Sequence, residues 1–161
     1  MQTISLSVPK NVFSILLILL SPVVIHAQQL PARWETGMSL TISTGGGMRD
    51  YHSETIISDA GITIITEGDD GRKTNQYEVT QQQLDKLLGI MRKNHFESLK
   101  SQPRKGLVYD MQTTTTELTW GNHMLGYSVG ASVELPEKRK NNASQISTYI
   151  FQMIESAANK K

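Results

Sequence analysis

The pentapeptide Gly126-Tyr127-Ser128-Val129-Gly130 has the spacing G-x-S-x-G. In α/β-hydrolases that spacing lifts a serine hydroxyl onto a sharp strand-to-helix turn, where a later acid and a later histidine activate it. No histidine follows Ser128 and no helical pattern starts beside it, so the expectation is a strand serine bracketed by glycines. His52, His95 and His123 show no i, i+4 pairing and no H-E-x-x-H, and the chain contains no cysteine to complete a zinc set. Asp69-Asp70-Gly71 lacks the alternating acids and distant Glu of a calcium loop and reads as a solvated hairpin turn. Gly45-Gly46-Gly47 leads towards a strand, with no Lys-Ser/Thr after it, so it reads as a strand connection rather than a phosphate loop. Glu137-Lys138-Arg139-Lys140 reads as solvated loop surface. Asn142-Ala143-Ser144 is a sequon that matters only in a eukaryotic secretory pathway. No catalytic, cofactor-binding or metal-ligating residue is assigned.

The elements that would hold these residues are organised around Thr80–Leu99. Leu84, Leu87, Leu88 and Met91 fall at i, i+3, i+4 and i+7, one face of a helix. Thr80 and Gln83 form a capping box, Val79 is placed to staple onto Leu84, and Asn94 supplies a residue tolerant of the left-handed cap. Before this helix the pattern gives strands at Met38–Ser43, Tyr51–Ser58, Ile62–Glu67 and Arg72–Val79, separated by glycine- and aspartate-rich connections. After it, Ser101–Gln112 reads as a loop. Thr113–Trp120 and His123–Val129 form a hairpin about Gly121-Asn122. Gly130–Asn141 reads as polar and irregular, and Ile146, Tyr149, Ile150, Met153, Ile154 and Ala157 mark a closing helix capped by Asn142 or Ser144. The order is ββββαββα: a single α+β domain, a largely antiparallel sheet with two helices packed on one face.

The first residues are expected to be a signal peptide rather than part of the fold. Polar Met1–Asn11 with one cation, Lys10, precedes the apolar Val12–Ile25, and small Ala27 marks a cleavage site. The apolar run is interrupted by Ser21-Pro22 and is shorter than the roughly 20 residues a bilayer span needs. The domain expectation is therefore residues 1–27 as signal, 28–36 as a leader and 37–161 as the domain. Localisation is expected to be periplasmic or extracellular, with no membrane contact after cleavage. Without cysteine, stability rests on packing and thiol chemistry is excluded. The chain carries 16 Lys and Arg, of which Lys10 lies in the signal, against 15 Asp and Glu. That balance gives no electrostatic footprint for nucleic acid.

The layout resembles the family of small exported bacterial α+β domains that includes emfourin, an inhibitor of the thermolysin-like metalloprotease protealysin. Ile42-Ser43-Thr44-Gly45-Gly46 leaving the first strand and Phe96-Glu97-Ser98-Leu99 closing the helix carry the resemblance. Asp110 before the threonine strand and Pro136 before the last helix complete it. The resemblance implies a non-enzymatic exported binding module whose partner is a secreted or envelope protein such as a metalloprotease. An envelope or matrix domain with a structural or ligand-holding role is the alternative.

An up-and-down meander places connections one and three at the same end of the sheet. A helix rising about 1.5 Å per residue matches strands rising about 3.3 Å, so the chain returns to that end after the helix and again after the hairpin. The shared rim would carry Met48, Arg49, Asp50, Asp69, Asp70, Arg104, Lys105, Tyr109 and the Lys138–Lys140 run. Met48, Arg49, Asp50, Arg104, Lys105 and Tyr109 are the candidate partner-binding residues, because loops on a rigid scaffold are where binding residues concentrate.

Overall fold

The computed structural model describes residues 29–47, 51–106, 108 and 111–159. The segment expected to be a signal peptide, with its expected cleavage site after Ala27, lies outside the described residues, as do Met48, Arg49, Asp50, Tyr109 and Asp110. The elements in order are β1 (Ser39–Gly45), β2 (His52–Ser58), β3 (Gly61–Gly68), β4 (Gly71–Tyr77), α1 (Gln81–Lys93), β5 (Gln102–Pro103), β6 (Thr113–Trp120), β7 (His123–Val129), β8 (Val133–Glu134) and α2 (Glu137–Ala158). Six strands form one sheet in the order β4-β3-β2-β1-β6-β7, every neighbouring pair antiparallel. The fold is α+β, as the hydrophobic patterning predicts.

One face of the sheet receives both helices. Leu40 stands opposite Ile57 and Leu118, Ile57 opposite Ile62, and Leu118 opposite Leu125, forming an apolar row across the strands. The α1 stripe Leu84, Leu87, Leu88 and Met91 and the α2 stripe Ala143, Ile146, Ile150, Met153 and Ala157 belong to the same buried cluster. The start of α1 has the capping box its sequence predicts. The Gln83 N–H donates to Thr80 Oγ1 (3.3 Å), and the Thr80 N–H donates to Gln83 Oε1 (2.9 Å), satisfying two donors that a helix start otherwise leaves orphaned.

Three local expectations are corrected. At the end of α1 the left-handed residue is His95 (φ 52°, ψ 48°), not Asn94 (φ −97°). Asn94 is instead buried, and its amide donates back to the Ile90 carbonyl at 2.9 Å, so the reversal falls one residue later. Next, Gly130–Asn141 is not irregular throughout. Val133–Glu134 pairs antiparallel with Gln102–Pro103, which also puts a short strand inside the Ser101–Gln112 connection. Finally, α2 begins at Glu137 behind Pro136 and has no side-chain cap, so the Lys138–Lys140 run is helical. Pro136 is the residue just ahead of the helix, with extended backbone (φ −52°, ψ 141°), and its ring disfavours helical backbone at Leu135, which fixes where α2 can begin. Asn142 lies inside the helix, and its amide donates to the Asn94 carbonyl at 3.0 Å, tying the start of α2 to the end of α1.

The segment read as a leader is docked. Leu30 and Trp34 are buried in the core. The Trp34 N–H donates to Asp85 Oδ1 (2.8 Å), and Gln81 Nε2 donates to the Trp34 carbonyl (2.9 Å). The chain ahead of β1 is thus clasped to the first turns of α1.

Candidate functional site

Ser128 sits inside β7 and is held there on every side. Its hydroxyl shares a hydrogen bond with Thr115 Oγ1 (2.9 Å). Its N–H donates to Ser101 Oγ (2.6 Å), and its carbonyl accepts from the same hydroxyl (2.8 Å). The flanking glycines have a packing cause. A Cβ on Gly126 would stand 2.5 Å from the Thr116 carbonyl oxygen, and one on Gly130 would stand 2.5 Å from Thr113 Cα. Both are closer than real side chains approach, so G-x-S-x-G here is the signature of a tight β6–β7 hairpin. No strand–turn–helix elbow is built around the serine.

The histidines stand apart. His52 opens β2 at the end where β1 leaves. His123 opens β7 at the opposite end, its ring 5.1 Å from that of Trp120. His95 follows α1, with Nδ1 3.6 Å from Glu97 Oε1. Among the described residues, no three His, Asp or Glu side chains gather as a cation would need. Asp70 makes an exposed ion pair with Lys73 at 3.6 Å within its hairpin.

The pairing registers gather the ends of several connections on one rim. Thr44 opposes Ser53 and Thr114, Gly45 opposes Thr113, His52 opposes Glu67, and Thr114 opposes Val129. The exit of β1, the entry to β2, the β3–β4 turn, the entry to β6 and the exit of β7 therefore lie at the same end. With strands about 4.8 Å apart, this rim runs about 24 Å from the β4 edge to the β7 edge. At its β4 end a shallow depression of about 300 Å³ is lined by Tyr51, Thr66, Glu67, Asp69, Asp70 and Lys73. Of the candidate binding residues, Arg104 and Lys105 are described. Lys105 is exposed. Arg104 is half-buried, its Nε 4.0 Å from Glu134 Oε2 and without a hydrogen bond of its own. The neighbouring cations are also answered locally: Glu137 Oε2 lies 2.6 Å from Lys140 Nζ and holds that ammonium above the usual lysine range.

Sequence reasoning passed over two exposed apolar residues in the connections that lead into β2 and β6. Tyr51 is 39 % exposed beside the depression, and Val108 is 40 % exposed in the connection leading to β6. Tyr51 was legible as the residue that continues the core-facing alternation Ile57, Thr55, Ser53 beyond the last paired position. No helix of the described residues is long and apolar enough to cross a membrane. No protein-family model matches the chain, and the sequence of no curated protein matches it either.

Proposed function

We propose that this chain is an exported, non-catalytic binding module that engages a protein partner through its rim, and that the partner is a secreted thermolysin-like metalloprotease. The observation that carries the reading is the convergence of separate connections on one end of a single antiparallel sheet. A scaffold of this kind holds loops in place and leaves their sequences free to serve recognition. The engaged state of Ser128 supports a non-catalytic role, and the emfourin-like layout supports the protease as partner class. The test is to titrate a thermolysin-like metalloprotease with the purified protein and follow peptide hydrolysis. The reading predicts stoichiometric loss of peptidase activity while the added protein stays intact. Unimpaired hydrolysis, with the protein itself digested, would overturn it.

A further inference from the structure

The two edges of the sheet are finished differently. At the β7 edge, both backbone groups of Ser128 point away from β6, because they bond the Ser101 hydroxyl. Backbone groups in an antiparallel strand alternate sides residue by residue. Carried across the registers of the sheet, that alternation turns Lys73, Asn75 and Tyr77 inward to β3. It leaves the N–H and C=O groups of Arg72, Thr74 and Gln76 facing outward at the β4 edge. Residues 71–76 are all exposed, and β4 closes the sheet order on that side.

An edge strand of this length, with no further strand beside it among the described residues, is a template for another strand. We propose that β4 pairs with the β4 of a second copy of this chain, antiparallel and centred on Asn75, joining the two sheets into one. The charges select both the occupant and the register. A two-fold axis at Arg72 or at Lys73 sets like cations against each other, one at Thr74 sets Asp70 against the partner's Glu78, and one at Gln76 faces Arg72 and Glu78 with threonines and forms no ion pair. At Asn75, Arg72 stands opposite the partner's Glu78, the exposed residue that follows the strand, and the same pair forms a second time by symmetry. In that register Thr74 exchanges backbone hydrogen bonds with the partner's Gln76, and Lys73 lies along the partner's Tyr77. A depression of about 570 Å³ lined by Ala60, Ile62, Gln76, Tyr77, Glu78 and Ala157 sits at the end of β4 that receives the incoming Arg72 and Lys73. The interface is polar and short, so association is weak and depends on concentration. Because the paired strands run oppositely, the two rims point in opposite directions and each stays open to its own partner.

The protein contains no cysteine, so single thiols report the register directly. Directly opposed residues that do not hydrogen-bond lie about 4.5 Å apart between Cα atoms, within the disulfide range of about 4.4–6.8 Å. Asn75→Cys should oxidise rapidly to a covalent dimer, whereas Lys73→Cys, whose copies are about 13 Å apart in this register, should not. In sedimentation equilibrium up to about 1 mM, Glu78→Arg should raise the dimer dissociation constant at least about tenfold. The exchanged pair Arg72→Glu with Glu78→Arg should restore it. A protein that stays monomeric over that range, a dimer indifferent to Glu78→Arg, or Lys73→Cys cross-linking as fast as Asn75→Cys would overturn the proposal. None of these outcomes bears on inhibition through the rim, so the two readings fail separately.

Discussion

Two rows of residues cross the same face of the sheet, four positions apart along every strand. One row is Tyr77, Ile62, Ile57, Leu40, Leu118 and Leu125; the other is Lys73, Thr66, Ser53, Thr44, Thr114 and Val129. Ile62, Ile57, Leu40 and Leu118 are completely buried, whereas the second row is largely short hydroxyls, with Thr44 and Thr114 sharing a hydrogen bond at 2.9 Å. The rows are separated by about 13 Å at about 3.3 Å per residue, and burial falls between them: in the second row Lys73 is exposed and the other five residues are half-buried. The helix stripes share one buried cluster with the first row, and of the second row only Val129 packs against it. Packing is therefore concentrated at one end of the strands, and the rim end, where we propose that a partner binds, is less covered.

The sharpest way to break this contrast is to truncate the covered end. Leu87→Ala, at a fully buried site on α1, should cost about 2–5 kcal/mol in a denaturant titration. A loss of the size seen at exposed positions would mean that α1 does not seal the first row. Intermediate effects belong to the hairpin that joins the two ends. Gly130→Ala must push its Cβ into Thr113 and should cost about 1–3 kcal/mol. Ser128→Ala in the same motif removes only a hydroxyl pair and should cost about 1 kcal/mol, with any activity of the protein unchanged. A Ser128 variant that folds normally but abolishes a hydrolytic activity would return the motif to catalysis.

How legible each region was follows from how local its causes are. α1 could be read because its apolar stripe and its capping box lie within fifteen residues of one another, so the signals reinforce each other. The start of α2 could not. Glu137-Lys138-Arg139-Lys140-Asn141-Asn142 offers no apolar period, and its order depends on Pro136 and on the Asn142–Asn94 hydrogen bond, 48 residues apart in sequence. Strands β5 and β8 are two residues each and exist through pairing with each other, which leaves no local trace. The left-handed turn was displaced from Asn94 to His95 because burial, a tertiary property, drew the Asn94 amide inward. The shared rim was within reach of sequence because alternation of up and down strands follows from counting. The apolar contribution of Tyr51 to it was not, since exposure of a tyrosine depends on where helix coverage stops.

Recognition through the rim is tested most directly by one comparison of variants. Inhibition constants against a thermolysin-like metalloprotease would be measured for Met48→Ala, Arg49→Glu and Tyr109→Ala, and for Asp59→Ala and Asn122→Ala in the turns at the opposite end of the sheet. The rim substitutions should weaken inhibition at least about tenfold, about 1.4 kcal/mol, with melting temperatures unchanged, and the opposite turns should have no effect. Weakened inhibition from Asp59→Ala and Asn122→Ala, with the rim variants at full strength, would contradict it.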